Sequence, residues 1–465
     1  MSGALEGIYE PGVVDPGYPS TNGTTPFWHS QPHPRANHQS EWPNGVIDVA
    51  IIGAGLTGMS LVRNLLKKKP GISIVLVDAR SLCSGATGRN GGHCKTMTFA
   101  MWEERKHSFG IEEAVRISAF EHAHLEAMAA AIREDDIDCD LVLTQGIEAY
   151  YDQRGFEKAV AGLEDMRAHA PHLAEKHQVH TDQSYLRDVL KLSPRAVGAI
   201  SIPAASMWPY KWVTGVLGPL IDQGKINVQT HTPVTSIVDR KEDEYATVKT
   251  NRGEIRAKHI VHATNAWLGR LLPELRPFIS PVRGNVVSYA PTADGKSPLG
   301  LGSDYSLWLR YGVKDYDYLI QRKDGRAIVG RANTGRKAVG DDSEMDLSPM
   351  AHLRGFAHEA LASPDRDAAT KISHQWAGIL AFSQDAVPFA GRLPFPGRTH
   401  QWVCGGYHAT GMIKAFLTSR MVAGLILGEE PDDDFPKSIF ATDDRIRQLR
   451  ISLERGLPVE IKARL

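Results

Sequence analysis

Hydrophobic and polar positions first fall into a regular pattern at residue 46. Residues 46–52 (VIDVAII) are an apolar run broken by one aspartate, the pattern of a strand buried on both faces of a parallel sheet. A glycine-rich turn follows. Residues 59–69 then carry apolar side chains at 59, 61, 62, 65 and 66, a helical spacing that ends in Lys67-Lys68-Lys69 before Pro70-Gly71. A second strand over 72–77 ends at Asp78 and completes a βαβ unit. From about 97 to 133 the pattern is helical, whereas 141–151 and 197–203 read as strands. Residues 225–265 alternate short β-rich runs at 227–230, 234–239, 246–250 and 254–256, and close on a buried-type strand over 259–264. The stretch 279–332 is strand-rich, with runs at 318–320 and 327–330 around the turn Lys323-Asp324-Gly325-Arg326. Residues 401–404, the pair Gly405-Gly406 and a helix over about 412–427 give another strand, glycine turn and helix. Residues 1–45 hold seven prolines and neither period, so they read as an irregular arm, either free or packed through Phe27-Trp28-His29-Ser30.

Composition adds mainly exclusions. With 42% hydrophobic and 23% charged residues in 465, the chain is of ordinary globular make-up, long enough for two to four units at about 100–200 residues each. Lys plus Arg is 53 and Asp plus Glu is 54, so no global field draws it to nucleic acid or acidic lipid. A small-molecule partner is expected. Four cysteines, at 83, 94, 139 and 404, are too few for a disulfide framework and lack the paired spacing of a zinc site, which suits a reducing compartment. No apolar run reaches the roughly 18 to 20 residues of a membrane span, and no signal pattern opens the chain. The ending Ala463-Arg464-Leu465 resembles the peroxisomal address Ser-Lys-Leu, so cytoplasm and peroxisome both stay open.

The chemistry lies in Gly53-Ala54-Gly55-Leu56-Thr57-Gly58, a GxGxxG between the buried strand and the helix, with Asp78 at the end of the next strand. Gly53 permits the tight turn, Gly55 lets a pyrophosphate approach the backbone, and Gly58 lets helix and strand pack closely. The helix start at Leu56 and Thr57 offers unpaired N–H groups to phosphate. Asp78 would accept hydrogen bonds from ribose hydroxyls. The motif alone leaves FAD and NAD open. The glycine-rich loop over 80–93, which includes SGATGRNGGH at 84–93, suits a chain running along an extended cofactor.

At this point the sequence resembles the D-amino-acid oxidase-like superfamily of FAD-dependent oxidoreductases, nearest its gamma-glutamylputrescine oxidase, glycine oxidase and sarcosine oxidase branch. The likeness runs from about 46 to 428 and includes HIVHATNAW (259–267), SPVRGNVV (280–287), DGRAIVG (324–330) and VCGGYHATGMI (403–413). It implies an α/β fold in which a Rossmann-type FAD-binding domain (46–135, 216–271 and 377–430) is interleaved with a substrate domain (136–215 and 272–376) on a large mixed antiparallel sheet. An arm (1–45) and a C-terminal tail (431–465) flank them. By the same resemblance FAD lies extended along Gly53, Gly55, Leu56, Thr57 and Gly58, with Asp78, Ala79 and Arg80 at the adenosine ribose and Val234 near the adenine. Ala263 and Thr264 would lie at the crossover. Gly85, Ala86, Thr87, Arg89, Asn90, Gly91 and Gly92 would line the ribityl chain and ring. Gly378, Gly406, Thr410, Gly411 and Met412 would approach the flavin, where backbone N–H groups can face the pyrimidine edge.

The implied reaction is hydride transfer from a C–H beside an amine nitrogen to flavin N5, giving an imine, with oxygen as acceptor and hydrogen peroxide as product. The substrate would be a small amine or amino acid. A flavin dehydrogenase with another acceptor, an NAD-linked reductase and a flavin-binding protein without turnover are the alternatives. His93, Tyr407 and His408 stand beside glycine turns and are the catalytic candidates, each equally readable as wall filling. Trp376, Phe382 and Trp208 are candidates for an aromatic cage, and Arg331 or Arg283 for holding an acidic group. Two departures from the family stand out. The stretch Trp376-Ala377-Gly378-Ile379-Leu380 lacks the cysteine that links FAD covalently in sarcosine oxidase-like members, which favours non-covalent FAD. The carboxylate-holding and oxygen-activating lysines of those members fall near Ile413 and Ile328, with Lys414 one place late. No metal site is expected.

Overall fold

A computed structural model describes residues 14–97, 99–302, 305–312, 315–332, 338–365, 367–456 and 459. Two sheets organise them. The eight-stranded first sheet runs Phe389–Arg392, Gln401–Gly405, Glu254–His262, Val46–Ile52, Ile74–Val77, Asn227–Gln229, with a hairpin of Val234–Val238 and Ala246–Thr250 paired to the start of Glu254–His262. Its centre is parallel: Val49, Ala50, Ile51 and Ile52 sit between Ile74–Val77 on one side and residues 259–262 on the other. Burial on both faces explains the unbroken apolar run, since Val49, Ala50 and Ile51 are all at 0% exposure. The helices Leu56–Lys68 and Ala415–Ile426 pack on each other, with Pro209–Asp222 and Ile111–Glu134 beside them.

The nine-stranded second sheet runs Ile372–Ser383, Ile279–Tyr289, Ala327–Ala332, Asp315–Gln321, Tyr305–Gly312, Val142–Tyr150, Gly198–Ser206, His93–Lys95, with Gln178–His180 also paired to Gly198–Ser206. Every pairing is antiparallel except that of Tyr305–Gly312 with Val142–Tyr150. This is the mixed sheet that the α/β reading requires. Because side chains alternate along a strand, the sheet has two distinct faces. One buries Ile147, Leu307, Leu319, Val329 and Val287 under the helices Leu347–Leu353 and Phe356–Ala360. The other face, carrying Glu148, Trp308, Tyr318, Gly330 and Val286 in register, turns toward the first sheet.

Several local expectations change. The runs at 254–256 and 259–264 are one strand, Glu254–His262, because the charged positions between them alternate outward while Ile255 and Ala257 stay buried. The helical stretch from 97 is two helices, Trp102–Phe109 and Ile111–Glu134, broken where Gly110 adopts φ 84°. The tail carries the helix Asp443–Arg455, capped by Thr442 and ended by left-handed Gly456, and its buried Arg445 pairs with Asp385 at 2.8 Å. The arm beyond residue 13 is packed: Trp28 is fully buried, and its Nε1 donates to the Asn90 carbonyl at 2.6 Å. Two segments cross the expected domain boundaries, since His93–Lys95 and all of Ile372–Ser383 belong to the second sheet.

Candidate cofactor and substrate site

A long cavity lies between the sheets and runs from Gly53 and Asp78 past Thr87 to Trp308 and Tyr318. One end is built by the βαβ unit. Gly53 adopts φ 115°, and a Cβ there would lie 2.6 Å from the Ala263 carbonyl oxygen, so only glycine fits the turn. Gly55 caps the helix Leu56–Lys68, and a Cβ on it would meet Thr87 Oγ1 at 3.0 Å. Leu56 N donates to that same hydroxyl at 3.0 Å, which ties the glycine loop to the helix start. The Asp78 carboxylate accepts from Ala54 N and Arg80 N, each at 2.8 Å. Burial raises its pKa, and those N–H donors oppose the rise.

Gly53, Gly55, Leu56, Thr57, Asp78, Ala79 and Arg80 line the cavity, as do Gly85, Ala86, Thr87, Arg89, Asn90 and Gly91 of the loop. So do Val234, Ala263, Thr264, Gly378, Thr410, Gly411 and Met412, together with His93, Tyr407 and His408. Three expected contacts are elsewhere. Gly58 is closed off by the Gly53 carbonyl, which a Cβ would overlap, so its part is helix packing. Gly92, at φ 77°, lies against the Trp28 ring. Gly406 N does not face the cavity, because it donates to Asn265 Oδ1 at 3.1 Å.

Side-chain geometry refines the loop residues. Arg89 points away from a ligand: Nε donates to the Ser84 carbonyl at 2.8 Å and Nη1 to the Ala377 carbonyl at 2.8 Å, and burial pulls its pKa down to about 10 against the pull of Asp342. Tyr407 Oη meets Thr57 Oγ1 at 2.9 Å, and burial holds the phenol far above its usual range, so it is no proton donor near neutrality. His408, at φ 47°, holds the Ser383 carbonyl through Nδ1 at 2.9 Å, and its Nε2 has no partner. His93 Nδ1 lies 3.4 Å from Ser306 Oγ.

The expected aromatic cage is misplaced. Trp376 donates to the Arg89 carbonyl at 2.7 Å, Phe382 packs on the His408 ring, and Trp208 packs on Phe27 and Trp28, all outside the cavity. The aromatic wall is instead Trp308, Tyr316 and Tyr318, brought together because Trp308 and Tyr318 are register partners on adjacent strands. Alternating strand patterns around 305–321 could have flagged them. Arg331 pairs with Asp315 at 2.6 Å and Asp317 at 2.9 Å, and Arg283 with Glu344 at 3.0 Å and Asp346 at 3.1 Å, so neither expected arginine reaches the cavity. Lys414 turns toward Glu121 at 3.5 Å. Ile328 is a core residue. No cysteine lines the cavity among the described residues.

The residues present fit a dinucleotide. Buried Ser84 Oγ, Thr264 Oγ1 and His408 Nε2 belong to the cavity wall and have no hydrogen-bond partner in the protein, which is costly unless a ligand supplies one.

Burial pushes His93 and His408 down to about 3, helped by Lys95 and Lys414 respectively. Both are therefore neutral at pH 5 and above. The unfolded imidazole titrates near 6.5, so each contributes its full stability above that pH and loses about 1.4 kcal/mol per unit as pH falls toward about 3. Between pH 7 and pH 5 the unfolding free energy from urea titration is expected to fall by about 2 kcal/mol less in His93→Phe than in wild type. An equal fall in both would refute the neutral assignment.

A glycine-turn cradle beside the first sheet that opens, through one cavity, onto a chamber lined by the second sheet has the form of a dinucleotide site joined to a small-molecule chamber. The chain belongs to the family described as DAO, FAD dependent oxidoreductase, which matches residues 48–425. It is an FAD-dependent oxidoreductase, and the choice between FAD and NAD falls to FAD. The chain is similar to the probable oxidoreductase OrdL of Rhizobium meliloti (strain 1021), at 28% identity over 84% of this chain and 86% of that protein. Its identity to gamma-glutamylputrescine oxidoreductase of Escherichia coli (strain K12) is 24%, over 82% and 84%. Glycine oxidase from Geobacillus kaustophilus shares the fold with TM-score 0.68 at 20% identity, over 86% of this chain and 99% of that one. Such relatives are bacterial and lend no support to a peroxisomal address, and Ala463-Arg464-Leu465 lies outside the described residues. No described helix is long and apolar enough to cross a membrane.

Proposed function

We propose that this chain oxidises the C–N bond of a small amine or amino acid to an imine and passes the electron pair to oxygen, giving hydrogen peroxide. The observation that carries this reading is the continuity of one cavity from the glycine turn at Gly53 to the wall of His93, Trp308, Tyr316 and Tyr318. FAD, when bound, supplies acceptance of a hydride from the C–H beside nitrogen. The chain's own residues do the rest. Gly53, Gly55, Leu56 and Thr57 would hold the pyrophosphate at a helix N-terminus, and Asp78 the adenosine ribose. The absence of a cysteine in the described wall favours non-covalent attachment. The buried aromatic chamber excludes water and accommodates the uncharged form of the amine, the form that can give up hydride. Neutral His408, with Nε2 unpartnered, orients the nitrogen by a hydrogen bond, and neutral His93 fills the wall beside Trp308 and Tyr318. Tyr407 is a positioning residue that fixes the turn on Thr57. The imine then hydrolyses in water to a carbonyl compound and ammonia or an amine.

Anaerobic mixing of the yellow holoprotein with primary and secondary amines tests the reading. Bleaching of the flavin by some member, followed on admitting air by one peroxide per substrate, is the expected result. Failure of every amine would refute the amine reading, and bleaching without peroxide would refute oxygen as acceptor.

A further inference from the structure

At its Asp78 end the cavity is walled in part by the N-terminal arm. Gly17, Tyr18 and Pro19 line it together with Asp78, Val234 and Arg270. Before these three residues the arm is fastened to Arg270 and Arg276, which follow the strand Glu254–His262. Asp15 accepts from Arg270 Nη1 at 3.1 Å and from Arg276 Nη2 at 2.7 Å, and Gly17 N closes a turn on the same carboxylate at 2.9 Å. Pro16 is wedged in place: a Cβ on Gly340 would overlap its carbonyl oxygen, and one on Gly269 would lie 3.5 Å from its Cδ. After the three residues the arm is fastened again. The Ser20 carbonyl accepts from Arg80 Nη1 at 3.2 Å, Thr24 N donates to the Asp342 carbonyl at 2.9 Å, and Thr24 Oγ1 accepts from Ala377 N at 2.8 Å. Residues 17–19 are thus held against the cavity from both sides.

The two fastenings are unequal. The side chains of Asp15, Arg270 and Arg276 are a quarter to a third exposed, so their ion pairs are weak and are screened by salt. Asp342 and Ala377, which hold Thr24, are fully buried. Opening from the Asp15 end is therefore the easier motion. The segment also presents groups that a nucleoside can use. Arg270 Cζ lies 4.5 Å from the centre of the Tyr18 ring, which fixes the ring at the cavity wall. Arg270 Nε is out of water and has no hydrogen-bond partner among the described residues, a costly state that an acceptor on a ligand relieves.

We propose that residues 15–24 are a strap over the adenosine half of FAD, and that Tyr18 and Arg270 belong to the cofactor site. The Tyr18 ring packs on the adenosine, Arg270 Nε donates to it, and release of FAD requires the Asp15 ion pairs to part. This goes beyond the amine reading and rests only on the placement of the adenosine at Asp78.

The test uses the FAD-loaded full chain as wild type, Tyr18→Ala, Asp15→Ala and Arg270→Met. Release is followed as the rise in flavin fluorescence on dilution, with a phosphodiesterase present to cleave FAD once it is free. Tyr18→Ala is expected to release FAD about 5- to 100-fold faster, the range for loss of one ring stacked on a base. Its flavin absorption bands should not move, because the isoalloxazine lies at the other end of the cavity. Asp15→Ala is expected to release FAD about 3- to 10-fold faster, the range for two partly exposed ion pairs, and added salt should speed release less than it does in wild type. Arg270→Met should exceed Asp15→Ala, because it removes the Nε donor as well. Hydrogen–deuterium exchange of peptides over 15–24 is expected to be slower in the FAD-loaded chain than in the same chain freed of FAD. Wild-type release rates in Tyr18→Ala and Asp15→Ala, or exchange over 15–24 indifferent to FAD, would overturn the strap. Shifted flavin bands in Tyr18→Ala would overturn the adenosine assignment. No readout uses a substrate, so failure of every amine would refute the amine reading and leave this result standing.

Discussion

Gly55→Val is expected to purify folded but colourless, with FAD affinity reduced at least about 100-fold, a loss of about 2.7 kcal/mol. Gly55 has φ −88°, a conformation open to any residue, and a Cβ there meets only the Thr87 hydroxyl at 3.0 Å. The backbone therefore tolerates valine. What it does not tolerate is the added bulk over the first N–H groups of Leu56–Lys68, the surface a pyrophosphate must approach. Gly58→Val is the contrast. Its Cβ overlaps the Gly53 carbonyl oxygen and comes within 3.1 Å of Leu76 Cδ1, so that variant should lose the fold itself. Flavin-to-protein absorbance, FAD titration and far-UV circular dichroism separate the two. Full FAD occupancy in folded Gly55→Val would remove the glycine turn from the cofactor site.

The βαβ unit was readable because its information is local. A buried parallel strand, a glycine turn, a helix with period 3.6 and an acidic residue all lie within residues 46–78, and the structure has Val46–Ile52, Leu56–Lys68 and Ile74–Val77 there. The chamber was less readable because it is assembled from strands distant in sequence. Lys95 belongs to a three-residue strand, and its room comes from Gly146, on a strand reached only after two helices. A lone lysine reads as surface until that strand is paired. Arg283 and Arg331 looked available for the opposite reason, since the carboxylates that occupy them arrive from residues 315–346 through the fold. The arm was undecidable for the same cause: Thr24 Oγ1 accepts from Ala377 N at 2.8 Å, a contact spanning 353 residues that no local period announces.

Asp342→Asn is expected to destabilise the protein by about 3–5 kcal/mol and to weaken FAD retention with it. The carboxylate is fully buried, and both its oxygens lie 3.0 Å from Arg80 Nη1, with Arg89 Nε 3.2 Å from Oδ2. Asparagine keeps the shape and removes the charge. Two guanidinium groups are then left side by side out of water, and neither can lose its proton at neutral pH. The strain would fall on the cofactor loop, because Arg80 and Arg89 both donate to the Ser84 carbonyl, at 3.0 and 2.8 Å, and Arg89 also braces the Ala377 carbonyl of the strand Ile372–Ser383. Adding Arg89→Met to Asp342→Asn removes one of the stranded cations and should recover part of the loss, a coupling that independent sites do not show. The exposed pair Arg195–Glu359 is the control, and Glu359→Gln is expected to leave the urea midpoint where it was. A midpoint for Asp342→Asn as unmoved as that control's would mean that the loop is held by its carbonyl contacts alone, and that the buried anion is dispensable to the cradle.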